Sequence, residues 1–418
     1  KCDIVADHNT ALQLFNQGKL DFIDLTSDDM AIYRMSDYLL KTDLTYTFRY
    51  IFATDINKLT NLEKAEGSNV NKRVLSYHDF RKALSLMIDR TTFCKQATPA
   101  YKPAYALFNN LYYYDAANNP NSIYRNSTAA KEAILNLYGI EYGDGKTYKT
   151  IDEAYNSITG YDVEEAKALF QSVYEQAKKD GNYTDGQKIH INCMASAATV
   201  LDSDDLKQEQ LLNQFVTEAT KGTGFEGMVS FTFQCGADKR YEDVANGAIE
   251  MIRGAWDGVP FSPVSTIRCY TEPDYMGGLG KIHESCGWNP SKETLTITVD
   301  INNDGMTETT ERTIQDWAKL INGGIRDANG NTIEAGITDP DAQLQVMAAL
   351  ETAGLSAYQC IPFASQTLAS LHSKQIQYAT LDYNIMFGYG GIRLMTYNYD
   401  DAAWAEYVAS HGGILSYE

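Results

Sequence analysis

Residues 188–233 leave this chain little topological freedom. Ile189, Ile191 and Cys193 alternate with polar neighbours, the pattern of a half-buried strand. Leu211, Leu212, Phe215 and Val216 then follow helical spacing within 206–221, and 228–233 alternates again. Strand, helix and strand in that order make a parallel pair joined by a right-handed crossover. Parallel strands need helices packed on them, so the fold class is α/β, with mixed sheets flanked by helices.

The rest of the chain fits that frame. Residues 77–90 read as one helix, with Phe80, Ala83, Leu84, Met87 and Ile88 on its apolar face and Ser76 as cap. A second helix starts at Asp162, with Glu165 completing a capping pair and Ala166, Leu169, Phe170, Val173 and Ala177 turned inward. Asp339-Pro340 opens another, which Gly354 is expected to close. Asn9 is a candidate cap for a helix ending near Gly18, and Asp400 for one running through Val408. Strands are expected at 3–6, 20–25, 249–252, 293–299, 376–379 and 393–397. Residues 98–130 read as a long irregular stretch, a candidate binding loop. The opening strand–helix–strand has no earlier strands to pair with, so the reading expects the N-terminal part of the protein to lie outside this numbering.

Length and charge remove some functions. At 418 residues, two or three domains are expected. The formal charge of −20 and the lack of a basic stripe exclude a binder that tracks nucleic-acid phosphates. No run of about 18 apolar residues is present, so no spanning helix is expected. The 29 tyrosines suit a wet recognition surface or reflect lineage bias, and the sequence leaves both open. The seven cysteines are scattered without zinc spacing, and Cys269 and Cys286 are close enough along the chain that a pairing stays open.

A search for catalytic groups returns little. No two histidines are spaced as a zinc-binding helix needs, and no nucleophile elbow occurs. Gly145-Lys146-Thr147 lacks the leading glycine of a phosphate loop, since Ile140 stands in its place. His283 and Cys286 lie three residues apart, but nothing in the sequence orients them as a nucleophilic pair. Two constellations carry chemistry. Asp300, Asn302, Asp304, Gly305 and Glu311 satisfy the calcium-loop pattern; Met306 would ligate through its carbonyl and Glu308 directly or through water, holding a structural Ca²⁺. The competing reading is a hairpin turn at Asn303-Asp304-Gly305. The second constellation is Trp256 and Asp257 in a Pro-containing bend after a strand, followed by Arg268 and Tyr270, which together suit a ligand rim with an aromatic wall and charge.

Three segments carry a family resemblance. Arg81-Lys82-Ala83-Leu84-Ser85 with Ile88-Asp89-Arg90 resembles a signature helix of the extracellular oligopeptide-binding proteins of ABC importers (solute-binding family 5). Tyr161-Asp162-Val163 with Ala166, Leu169 and Phe170 is similar to a later helix of that family, and Gly18-Lys19-Leu20-Asp21 to a segment near the end of its first lobe. The resemblance implies a two-lobed periplasmic-binding-protein-like (type II) fold lacking its N-terminal part. Residues 1–58 would end lobe one, 59–374 would form lobe two, and 375–418 would cross over and return to lobe one. It implies a non-enzymatic, monomeric protein that binds oligopeptides or another small solute between its lobes. Such a protein delivers its ligand to a membrane permease, needs no cofactor, and is periplasmic or lipid-anchored at the cell surface. Trp256 matches the family's cleft tryptophan and Asp257 is its candidate amine anchor, although Pro260 and Pro263 depart from the family's loop. Tyr383 and Tyr389 fall at the last crossover and are candidates for the cleft or hinge. A surface sensor or adhesin on the same fold is the alternative.

Overall fold

The computed structural model describes residues 5, 7–98, 100–115, 118–256, 262–273, 275, 279–378, 383–384, 388–389 and 395–418. The chain forms two compact units. The first comprises residues 1–44, 94–102 and 365–418, and the second residues 45–93 and 103–364. The chain passes between them at 44/45 and 364/365, inside the long strands Leu39–Phe52 and Cys360–His372, and again at 93/94 and 102/103. Neither strand was read from the sequence.

In the first unit, the helix His8–Asn16 is capped by Asp7, whose carboxylate accepts from the Thr10 amide at 2.7 Å. Asn9, the expected cap, lies inside the first turn. The expected strand over 20–25 shortens to Phe22–Asp24, antiparallel to Ser370, Leu371 and His372. The expected strand at 3–6 falls mostly outside the described residues. Phe15, Ile23, Leu371, Trp404 and Tyr417 form the core of this unit. Gly18 explains its own identity: its φ is +70°, its carbonyl accepts from Trp404 Nε1 at 2.8 Å, and a Cβ there would sit 2.7 Å from a Val408 methyl. The C-terminal helix is Asp401–Ser410, capped by Asp400 as expected.

The second unit is built on the strands read first. Ile189–Ala195 and Val229–Cys235 pair in parallel, and the helix Ser203–Thr220 makes the crossover. Ile189, Ile191, Cys193 and Ala195 are buried, as the alternation requires. Met251–Trp256 runs parallel to Ile189–Ala195 on its other side and antiparallel to Leu39–Phe52, with Thr47 opposite Trp256. The helix Val163–Lys179 is capped by Asp162 and buries Ala166, Phe170, Val173 and Ala177.

The helix expected over 77–90 is two helices. His78–Leu86 ends, and Arg90–Ala97 begins after a turn in which Asp89 accepts from the Thr92 amide. Ser76 does not cap; its hydroxyl donates to the Arg73 carbonyl, and Tyr77 holds the N-cap position without a side-chain bond. The arginines decide this geometry. Arg81 donates to the carbonyls of Leu75, Ser76, Ala357 and Tyr358. Arg90 is fully buried and donates to the carbonyls of Ser85, Gly160 and Pro362. Gly160 has φ +59°, and a Cβ on it would stand 2.9 Å from the Arg90 guanidinium. The signature motif therefore carries two buried cations that absorb carbonyls at helix ends, in a loop and in the strand Cys360–His372.

The helix opened by Asp339 runs Pro340–Ser356, past Gly354, which is buried inside it. One turn earlier lies Glu351, fully buried and the anchor of the irregular stretch. Its carboxylate accepts from the Leu107 amide at 2.8 Å, the Tyr124 hydroxyl at 2.8 Å and Arg125 Nη2 at 2.5 Å. Burial, aided by the Glu351 charge, pushes the Tyr124 hydroxyl well above its ordinary pKa. Removing one partner of a buried pair strands the other charge. Glu351→Gln is thus expected to cost about 3–5 kcal/mol in urea unfolding, and a loss under 1 kcal/mol would rule out this anchor.

Candidate ligand site

The parallel strands of the second unit end on one edge. Ala195 stands opposite Cys235, and Met251 is in register with Cys193, so the strand Met251–Trp256 runs three residues further than Ala195. At about 3.3 Å per residue, Trp256 lies about 10 Å beyond that edge. In open α/β sheets, ligands bind outside the carboxyl ends of the strands.

Side chains around this edge are tied to each other. Arg253 Nη2 donates to Ser196 Oγ at 2.9 Å, and Nη1 pairs with the buried carboxylate of Asp205 in the first turn of the helix Ser203–Thr220. Burial raises the Asp205 carboxyl above its ordinary value, against the pull of Arg253. Arg240 Nε donates to the Arg253 carbonyl at 2.9 Å. The Tyr241 hydroxyl accepts from the Ala255 amide and donates to the Ala255 carbonyl. The amides of Gly236 and Ala237 both donate to the Ala197 carbonyl. Sequence reading did not single out Ser196, Asp205 or Arg253. The available signal was a lone cation, Arg253, in the run Met251-Ile252-Arg253-Gly254.

The expected site residues are distributed unevenly. Trp256 ends its strand at this edge. Asp257 lies outside the described residues. Arg268 is held by Glu272 through two hydrogen bonds of 2.8 and 2.9 Å, and its guanidinium covers the Tyr275 ring at 4.2 Å. Tyr270 is core rather than rim: it is buried, stacks on His283 at 5.2 Å and accepts from Arg49. Tyr383 and Tyr389 stand opposite each other in a two-residue ladder.

His283 and Cys286 make no reactive pair. His283 Nδ1 bonds Gln359 Oε1 at 2.6 Å, and burial draws the imidazole down to about 4. Burial pushes the Cys286 thiol up to about 12. Cys286 is a free thiol, so it is not bridged to Cys269.

In the 300–311 segment the candidate calcium ligands take part in a hairpin. Thr294–Val299 and Glu308–Thr313 form an antiparallel hairpin, in which Glu311 pairs with Thr296 and accepts from the Thr294 hydroxyl. Glu311 therefore belongs to the ladder and not to the loop. Asp300 accepts from the amides of Asp304 and Gly305, and Glu308 from the Ile301 amide and the Asn302 side chain. Asn303 takes φ +58° and Gly305 φ +85°, and Met306 is exposed at the tip. Among the described residues, no group of three or more His, Cys, Asp or Glu side chains is placed to hold a metal ion. The carboxylates of the motif shape the turn instead.

Two measurements check these assignments. His283 is neutral in the folded chain, so the unfolded chain takes up its proton first as pH falls from about 6.5 towards 4. Stability from this group is present above 6.5 and is lost across that window, by about 3 kcal/mol at pH 4. A His283→Gln variant is expected to flatten that part of the stability–pH curve relative to the parent; parallel curves would refute it. Millimolar Ca²⁺ or EDTA is expected to leave the melting temperature unchanged, and a rise with Ca²⁺ would restore the metal reading.

Residues 1–277 match the family described as bacterial extracellular solute-binding proteins, family 5, middle. No curated protein matches the sequence closely enough to report. Among solved structures, the fold is similar to Listeria monocytogenes OppA bound to peptide, with a TM-score of 0.57 at 14% identity over 95% of this chain and 57% of that one. It is also similar to the substrate-binding domain of an oligopeptide ABC transporter from Bacillus anthracis, at 0.55, 13% identity, and 89% and 54% coverage. The Escherichia coli murein tripeptide binding protein MppA gives 0.52, 13% identity, and 93% and 56% coverage. The chain thus spans a little over half the length of these proteins. Two-thirds of its length carries the family pattern, on the fold that such proteins share, and the chain belongs to the family 5 bacterial extracellular solute-binding proteins.

Proposed function

We propose that this chain is the larger part of the substrate-binding component of an ABC importer. In this reading it binds oligopeptides, or another small solute of similar size, and passes them to a membrane permease without chemical change. The observation that carries the reading is the strand-end edge of the second unit, where Trp256 runs past the parallel strands inside the family-matched region. One observation favours a carrier: His283 and Cys286, the His–Cys pair weighed from the sequence, are buried with the thiol raised and so lack the exposure and activation that a nucleophile needs.

The family is described as extracellular, and no helix among the described residues is long and apolar enough to cross a membrane. In the proposed reading the protein works outside the cytoplasmic membrane as a monomer, held to the surface by a lipid anchor or free in a periplasm.

A mixture of random tri- to pentapeptides, added to the full-length protein that contains this chain, is expected to raise its melting temperature by a few degrees. The peptides are recovered intact by mass spectrometry. Trp256→Ala is expected to weaken binding about tenfold or more. Cleaved peptides, or no response to any peptide, would overturn the reading.

A further inference from the structure

The strand Val229–Cys235 ends its sheet: among the described residues it pairs on one side, with Ile189–Ala195, and no strand lies beyond it. Along such a strand, successive residues turn their amide and carbonyl to opposite sides. The Ile189 amide donates to the Met228 carbonyl, so the even-numbered residues face the neighbouring strand. Val229, Phe231, Phe233 and Cys235 therefore turn their backbone groups outward. An edge of this kind is a template for another strand. The strand carries none of the usual protections in its own sequence. Its seven residues include no charge, no proline and no glycine, and all seven pair in continuous register without a bulge. An uncharged run containing Val229, Phe231 and Phe233 is suited to pairing with its own copy.

The outward groups are nonetheless occupied by side chains. Asn213 Oδ1 accepts from the Phe231 amide at 2.9 Å, and its Nδ2 donates to the Phe231 carbonyl at 2.9 Å. Nδ2 also donates to the Glu209 carbonyl at 3.0 Å. Glu209 Oε2 accepts from the Phe233 amide at 2.6 Å. Both side chains come from the crossover helix Ser203–Thr220. The two spacings match. Four residues of helix rise about 6 Å and two residues of strand about 6.6 Å, so polar groups at i and i+4 meet successive outward positions. A side-chain amide offers the same donor and acceptor as a peptide group. Asn213 thus stands where a residue of a further strand would stand.

We propose that Glu209 and Asn213 act as a surrogate strand that closes this edge to a second copy of the chain. The partner shut out is the same strand of another molecule, running antiparallel about a two-fold axis through Thr232. That axis sets Phe231 of each copy opposite Phe233 of the other, which matches the outward groups of both, and sets the two Thr232 residues opposite each other. The inference goes beyond the peptide-binding reading and does not depend on it, because it concerns the long side of the strand and not its ligand-facing end.

The test is the molar mass of the full-length protein by light scattering, at concentrations up to about 0.1 mM. Three forms are compared: the parent, Glu209→Ala/Asn213→Ala, and that variant with Thr232→Lys added at an exposed position. Alanine suits a helix interior, so the double variant is expected to melt cooperatively. The parent is expected to keep the mass of one chain throughout, and the double variant to rise towards twice that mass or more as concentration increases. Thr232→Lys is expected to restore one chain, because like charges directly opposed across the axis repel. Hydrogen exchange over 229–235 gives a second reading. At low concentration it is expected to quicken about tenfold in the double variant, and to slow again as copies pair. A double variant that melts cooperatively with one-chain mass would overturn the proposal and assign the closure to the body of the helix. Unchanged exchange, association that Thr232→Lys leaves in place, or a parent that itself associates would overturn it too. Where the double variant does not melt cooperatively, Asn213→Ala alone replaces it, with the same outcomes.

Discussion

A fully buried carboxylate needs donors on every side, and the second unit is arranged around one that has them. Glu351 sits in the interior of the helix Pro340–Ser356 and collects the amides of Leu107 and Phe108, the Tyr124 hydroxyl and the Arg125 guanidinium. Without those donors the charge could not stay buried. Without the charge, residues 102–126 would lose a shared attachment, because among their described residues the regular structure is the short strand Lys102–Pro103 and the single turn Tyr124–Asn126. The irregular stretch is ordered by one side chain more than 200 residues away in sequence.

The same economy governs the buried cations. Arg81 and Arg90 each serve carbonyls from separate parts of the chain, and Lys72 joins Glu66 and Glu250 with its ammonium fully buried. A buried arginine with several carbonyl partners has no isosteric substitute, since lysine lacks the planar fork of donors. Surface residues between such points carry no comparable obligation. At the ligand edge, Arg253 plays a related part, fixing a loop and a helix start while Trp256 extends beyond them.

Much of the fold was legible where periodicity and burial coincide. The parallel pair over 188–235 and the helices capped by Asp162, Asp339 and Asp400 follow from alternation, helical spacing and short polar caps. The two long strands did not announce themselves. Leu39–Phe52 interrupts its aromatic and threonine pattern with Lys41, Asp43 and Arg49, and Cys360–His372 contains Pro362, which argues against an interior strand. Arg49 is buried because the Tyr270 hydroxyl accepts from it, and the Pro362 carbonyl is occupied by Arg90. Those partners are distant in sequence, so no local pattern could reveal them. The calcium motif shows the converse. Its residues match locally, while strand pairing engages Glu311 and the turn engages Asp300.

By itself, the sequence determined the α/β class, the crossover connection, the helix starts at Asp162, Asp339 and Asp400, and the family, because these depend on spacing within a few residues or on a motif read in order. Tertiary structure decided the rest. It placed Tyr270 in the core, turned the metal motif into a hairpin, split the 77–90 helix, and gathered Ser196, Asp205 and Arg253 beside the strand that ends in Trp256. Each of these outcomes is set by hydrogen-bond and charge partners that long-range folding brings together, and a buried polar group's role is fixed by its partners rather than by its neighbours in the chain.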